Sequence, residues 1–141
     1  MWKNYYKEHF IKQYAELTEK SIKFQNLQSF NLSDNSKIAI AEMYKAFFDL
    51  SYKIIKLFLI HNIIFDSNNI TLIKRAYSLN IIENGYFWTE LYYLLQDYIN
   101  TKDSKSINNI FHLYIKNGFK EFDKLKTYFE KELEEELKEI V

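Results

Sequence analysis

The chain has 141 residues, 48% hydrophobic and 27% charged, the size and composition of one globular domain, which excludes a disordered tail. Its 19 basic residues balance 19 acidic ones, +9 and −7 over residues 1–70 and +10 and −12 over residues 71–141, so the clustered charge of a nucleic-acid-binding domain is missing. With no cysteine there is neither a disulfide framework nor a thiolate zinc ligand, a pattern expected of a cytoplasmic chain.

Zero prolines and two glycines, Gly85 and Gly118, leave few interruptions, so long helices are expected throughout. In the first, over roughly residues 3–28, Phe10, Tyr14, Leu17, Phe24 and Leu27 recur at helical spacing with charged residues between them. The start, Met1 to Glu8, lacks the apolar core of a signal peptide. The polar turn Asn31 to Ser36 then offers N-caps for a second helix. That helix carries two apolar stripes, Tyr44, Phe48, Ile55 and Phe58 beside Phe47, Leu50, Ile54 and Leu57. A helix so apolar is either central in the fold or shared with a second subunit. It is not a membrane span, because Asp49, Lys53 and Lys56 would each cost about 2.5–3.5 kcal/mol at a bilayer centre.

After the breaker Asp66 to Asn69, a short third helix carries Leu72, Ile73, Ala76, Tyr77 and Leu79. Asn84-Gly85 is the tightest turn signal, and a fourth helix follows over about 86–100 with Phe87, Trp88, Leu91, Leu94, Leu95 and Tyr98. Beyond Thr101 to Ser104 one long last helix is expected, bearing Ile107, Ile110, Tyr114, Phe122, Leu125, Phe129 and Leu133, with a kink or brief break at Asn117-Gly118. Its charged end, Glu130 to Glu139, reads as a solvated face. The fold expected is all-α: an antiparallel up-and-down four-helix bundle with an additional short helix, one domain over residues 1–141.

No complete catalytic constellation accompanies these helices. The residues three before His9, His61 and His112 are Tyr6, Phe58 and Asn109, so the Glu-x-x-His pairs of a di-iron bundle are missing. Gly-x-x-x-x-Gly-Lys and His-Glu-x-x-His are missing too, and no metal or cofactor is expected. Most aromatic residues fall on the apolar stripes, which assigns them to the core rather than to base stacking.

Two segments resemble a known family. Phe48-Asp49-Leu50-Ser51-Tyr52-Lys53-Ile54-Ile55-Lys56 is similar to the helix Phe-Glu-Leu-x-Trp-Lys-x-x-Lys of the nucleotidyltransferase substrate-binding proteins, a HepT-like branch of the HEPN superfamily. Ile73, Ala76-Tyr77, Ile81 to Gly85 and then Trp88 resemble that family's short helix, turn and Trp-led helix, and the likeness covers roughly residues 38–130. The resemblance implies a helical bundle that forms a homodimer beside a nucleotidyltransferase. Active members cleave RNA without metal through Arg-Asn-x-x-x-His-x-Tyr, whose Tyr the partner is believed to modify.

Counted from Trp88, the Arg position of that motif holds Leu95, the Asn position Gln96, the His position Asn100 and the Tyr position Lys102. An amide has no titratable nitrogen and leucine cannot hold a phosphate. The expectation is therefore a non-catalytic subunit that homodimerises and binds a nucleotidyltransferase encoded nearby, in the manner of a toxin–antitoxin pair. The family's cleft maps to Asp49, Lys53, Gln96 and Asn100, a residual polar groove for nucleotide, RNA or partner. The alternatives are an RNA-cleaving protein using His112 with lysines, and a purely structural adaptor.

Overall fold

In the computed structural model, backbone is described over residues 4–22, 33–62 and 69–140, and side chains over 8–22, 33–59 and 69–135. The described residues form six helices: α1 (Asn4–Ile22), α2 (Asp34–Asn62), α3 (Asn69–Ser78), α4 (Gly85–Thr101), α5 (Ser104–Asn117) and α6 (Lys120–Ile140). None of them is long and apolar enough to cross a membrane. Phe24, Leu27, Asn31 and Asp66, which the sequence reading used, lie outside the described residues.

Local chemistry sets the helix starts. The Ser33 hydroxyl accepts from the Ser36 N–H at 3.2 Å ahead of α2, Asn84 Oδ1 from Phe87 at 3.1 Å ahead of α4, and Asp103 Oδ1 from Ser106 at 2.8 Å ahead of α5. The Ser106 backbone hydrogen bond, followed by the Ser106 hydroxyl, holds the Asp103 carboxyl below the usual range. Helix α3 ends in a two-bond cap: Ile81 N–H reaches the Ala76 carbonyl at 2.9 Å and Asn80 N–H the Tyr77 carbonyl at 3.1 Å, with Asn80 at φ 60°. Helix α4 ends on Lys102, also left-handed at φ 50°, its N–H on the Tyr98 carbonyl. A non-glycine residue is strained there, so Lys102→Gly is expected to raise stability by up to about 1 kcal/mol in urea unfolding.

The expected four-helix bundle with one short helix requires correction, because the single last helix is two. Gly118 stops α5 at φ 55°, ψ −136°, a conformation that L side chains rarely adopt, and its N–H closes on the Tyr114 carbonyl at 2.6 Å. Its own carbonyl accepts from the Tyr44 hydroxyl. Phe119 then turns inward and α6 restarts, with Asp123 N–H on the Phe119 carbonyl at 3.1 Å.

Helix α2 is the central element, packing against α1, α3, α5 and α6. Its partners follow it in register: Lys37 bonds Asn108, Tyr44 meets Tyr114 and Phe119, Phe47 meets Phe122, and Phe58 meets Phe129. So α5 and α6 run in the direction of α2. Helix α4 runs oppositely, since Tyr98 lies beside the Glu42 carboxylate while Phe48 meets Tyr92 and Trp88. Both apolar stripes of α2 are thereby covered within the molecule: Tyr44, Phe47, Phe48, Ile54 and Ile55 are buried, and Leu50, Leu57 and Phe58 pack against the core.

An aromatic cluster holds the helices together. Phe47 stacks on Phe122 at 4.6 Å between ring centroids, Trp88 meets Phe122 edge-on at 5.4 Å, and Tyr44 touches Phe87, Tyr114, Phe119 and Phe122. Such pairs contribute roughly 0.5–1.5 kcal/mol each beyond their burial. On the α1 side, the Tyr14 hydroxyl bonds Ser51 Oγ, which donates to the Phe47 carbonyl at 2.6 Å, so the buried phenol is satisfied. Two residues expected on the inward stripe of α3 are not core: Tyr77 is 54% and Leu79 39% exposed.

Candidate functional site

The four positions mapped from the family's cleft are dispersed over the outer side of α2 and α4. Asp49 is exposed and pairs with Lys45 at 3.1 Å on its own helix, and Lys53 is exposed. Gln96 is half-buried and Asn100 exposed. The Glu42–Tyr98 and Phe48–Tyr92 contacts fix the antiparallel register of α2 and α4, which places Asn100 level with the residues just before Glu42. At about 1.5 Å of rise per residue, Lys53 and Asn100 are then roughly 20 Å apart along the axis. Leu95 is buried, 2% exposed, and Lys102 stands in solvent on the left-handed cap.

Concavity lies elsewhere. A cleft of about 600 Å³ opens between the end of α3, the α3–α4 turn and the first turns of α4 and α6. Tyr77 forms one wall, its ring laid across Gly85, where a Cβ would come within 3.3 Å of the ring. Tyr86, 91% exposed, also lines the cleft, as do Lys74 and Lys120. The buried floor carries Glu121, 3% exposed, whose carboxylate faces Lys124 at 3.5 Å. Lys124 also bonds Glu83 at 3.1 Å, and these carboxylates, Glu83 first, hold its ammonium above the ordinary lysine range. Lys74 and Lys120 make no ion pair among the described residues.

A smaller groove of about 360 Å³ runs between α4 and α5, lined by Glu90, Asn109, His112 and Lys116 among others. The α5 members recur at three and four, which brings the exposed His112 and Lys116 onto one face opposite Glu90. Tyr114, the other half of the sequence's His-x-Tyr strip, points into the core instead, 1% exposed.

Sequence reading missed the larger cleft. Its signal was faint but present: Glu121 falls four before Leu125 and eight before Phe129, on the inward stripe of α6, where a carboxylate has no packing reason to be. Tyr86, next to the turn glycine, stands outside the stripe of Phe87, Trp88 and Leu91. The other residues of the cleft come together only through the α3–α4 turn.

No protein-family model matches this chain, and no curated protein or solved structure matches it either, so the likeness of residues 48–56 and 73–88 to the HepT-like family stands on those residues alone.

Proposed function

We propose that the chain is a non-catalytic, HEPN-like helical bundle that homodimerises and binds a partner nucleotidyltransferase, as a substrate-binding or regulatory subunit of a toxin–antitoxin-like pair. The observation that carries this reading is that the two resembling segments meet. Phe48 and Trp88, forty residues apart in sequence, bring their rings to 6.3 Å between centroids. Tyr52, Ile55, Ile73 and Ile82 surround the same point. The quoted residues thus pack together as one unit, which supports reading the two segments jointly.

Binding rather than cleavage follows from the matched motif positions. Leu95 belongs to the core, and Asn100 offers an amide where proton transfer needs an imidazole. Apolar surface remains close to these positions: Ile38 and Ile99, 38% and 45% exposed, flank the Glu42–Tyr98 contact, and such residues suit a protein partner.

Light scattering on the purified chain and incubation with single-stranded RNA test both halves of the reading. A dimer that leaves RNA intact is expected. A monomer that cleaves RNA, with cleavage lost on His112→Ala in the α4–α5 groove, overturns it.

A further inference from the structure

The α3–α4–α6 cleft combines features that separately have structural explanations and together do not. A tyrosine 91% exposed, beside a second one 54% exposed, leaves two ring faces open to solvent at one mouth. Lys74 and Lys120 stand on the same rim without ion-pair partners among the described residues. The floor is a carboxylate removed from water, and a buried carboxylate is an acceptor-only group that demands donors. Lys124 at 3.5 Å supplies one, and that lysine is shared with Glu83 at 3.1 Å. The volume, about 600 Å³, is that of a small-molecule site.

We propose that this cleft binds a nucleoside phosphate, with the base against the exposed rings of Tyr77 and Tyr86, the phosphate on Lys74 and Lys120, and the base's N–H donor edge on Glu121. Aromatic faces hold bases of any kind by stacking, and ammonium groups hold the phosphate as point charges. The carboxylate adds selection. An acceptor-only group pairs with an edge that presents two adjacent donors, which guanine has, whereas adenine sets a ring acceptor beside its one amino group. Gly85 contributes by lacking a Cβ, so that the Tyr77 ring can lie against the first turn of α4. None of Asp49, Lys53, Gln96 and Asn100 lines this cleft, so nucleotide binding can fail with partner binding intact, and the reverse.

Calorimetric titration of the full chain with guanosine monophosphate, adenosine monophosphate, inorganic phosphate and a short single-stranded guanylate oligomer tests this. Guanosine monophosphate is expected to bind at least about tenfold tighter than adenosine monophosphate, a gap of about 1.4 kcal/mol. Inorganic phosphate is expected to bind weaker than either. Tyr86→Ala, on a side chain too exposed to support the fold, is expected to weaken nucleotide binding by about 5–150-fold, the range of one lost base stack. Lys120→Ala is expected to weaken both nucleotides alike, and Glu121→Gln to erase the guanine preference. Should Glu121→Gln not fold, Tyr86→Ala still decides. Tighter binding of the oligomer identifies RNA as the source of the nucleotide, and tighter binding of the monophosphate identifies a free metabolite. No heat with any nucleotide, phosphate binding as tight as the nucleotides, or unchanged affinity in Tyr86→Ala overturns the assignment.

Discussion

Tyr44→Ala is expected to destabilise the fold by about 3–5 kcal/mol, a large share of what a domain of this size possesses. The residue is fully buried at the centre of the aromatic cluster, in contact with Phe87, Tyr114, Phe119 and Phe122. Its truncation removes those contacts together and opens a cavity between α2, α4, α5 and α6. Tyr44→Phe separates the ring from the hydroxyl. It keeps the packing but strips the Gly118 carbonyl of its partner at the α5–α6 break, which is expected to cost about 1–3 kcal/mol. Burial also pushes the Tyr44 phenol well above its ordinary pKa, so it remains a donor throughout the usual pH range. Urea unfolding of both variants measures the two costs. A Tyr44→Phe variant as stable as the parent would show that the break does not depend on that hydrogen bond.

Placing the arginine of the resembling family's motif at position 95 is expected to damage the protein rather than activate it. Leu95 is 2% exposed within the core, and Leu95→Arg would bury a charge among apolar side chains. A charge left unpaired in the interior costs about 3–5 kcal/mol. Asn100→His, at an exposed position in the last turn of α4, is expected to change stability by less than about 0.5 kcal/mol. The double variant should therefore unfold at lower urea like Leu95→Arg alone, and show no RNA cleavage. Cleavage by the double variant, with stability retained, would show that the two positions lie in a site otherwise ready to work.

These contrasts follow from what the sequence could carry. Helix identities and starts were legible because they are local: Asn84 and Asp103 are cap residues in place, and the stripes of α2 and α4 are regular. The break at Gly118 was visible as a signal, but its consequence was not. A glycine in a helical pattern can be tolerated, kinked or used as a terminus, and here the Tyr44 hydroxyl, 74 residues away, takes the carbonyl that a continuous helix would use. Excess apolar surface on α2 was ambiguous for a similar reason. Periodicity counts the stripes but does not say which neighbours cover them, and α1, α3, α5 and α6 all do.

Site residues were less legible than elements. Asp49, Lys53, Gln96 and Asn100 were grouped by resemblance, and their grouping depends on the register between α2 and α4, which no local pattern encodes. The opposite error befell α6, where only Glu130 to Glu139 were read, as a solvated face, and Glu121 was given no role. The burial of Glu121 depends on where the Gly118 break aims the first turn of α6. Tyr77 shows the same limit, since helical spacing places it with Ile73 and Ala76 whereas the α3–α4 turn leaves it on the rim of the cleft.

The proposed role as a binding subunit is tested most directly by co-expressing this chain with a nucleotidyltransferase encoded beside it, should its gene have such a neighbour, and measuring the intact mass of the assembly. A stable complex containing two copies of this chain is the expected result. This chain recovered alone as an unmodified monomer would contradict the account.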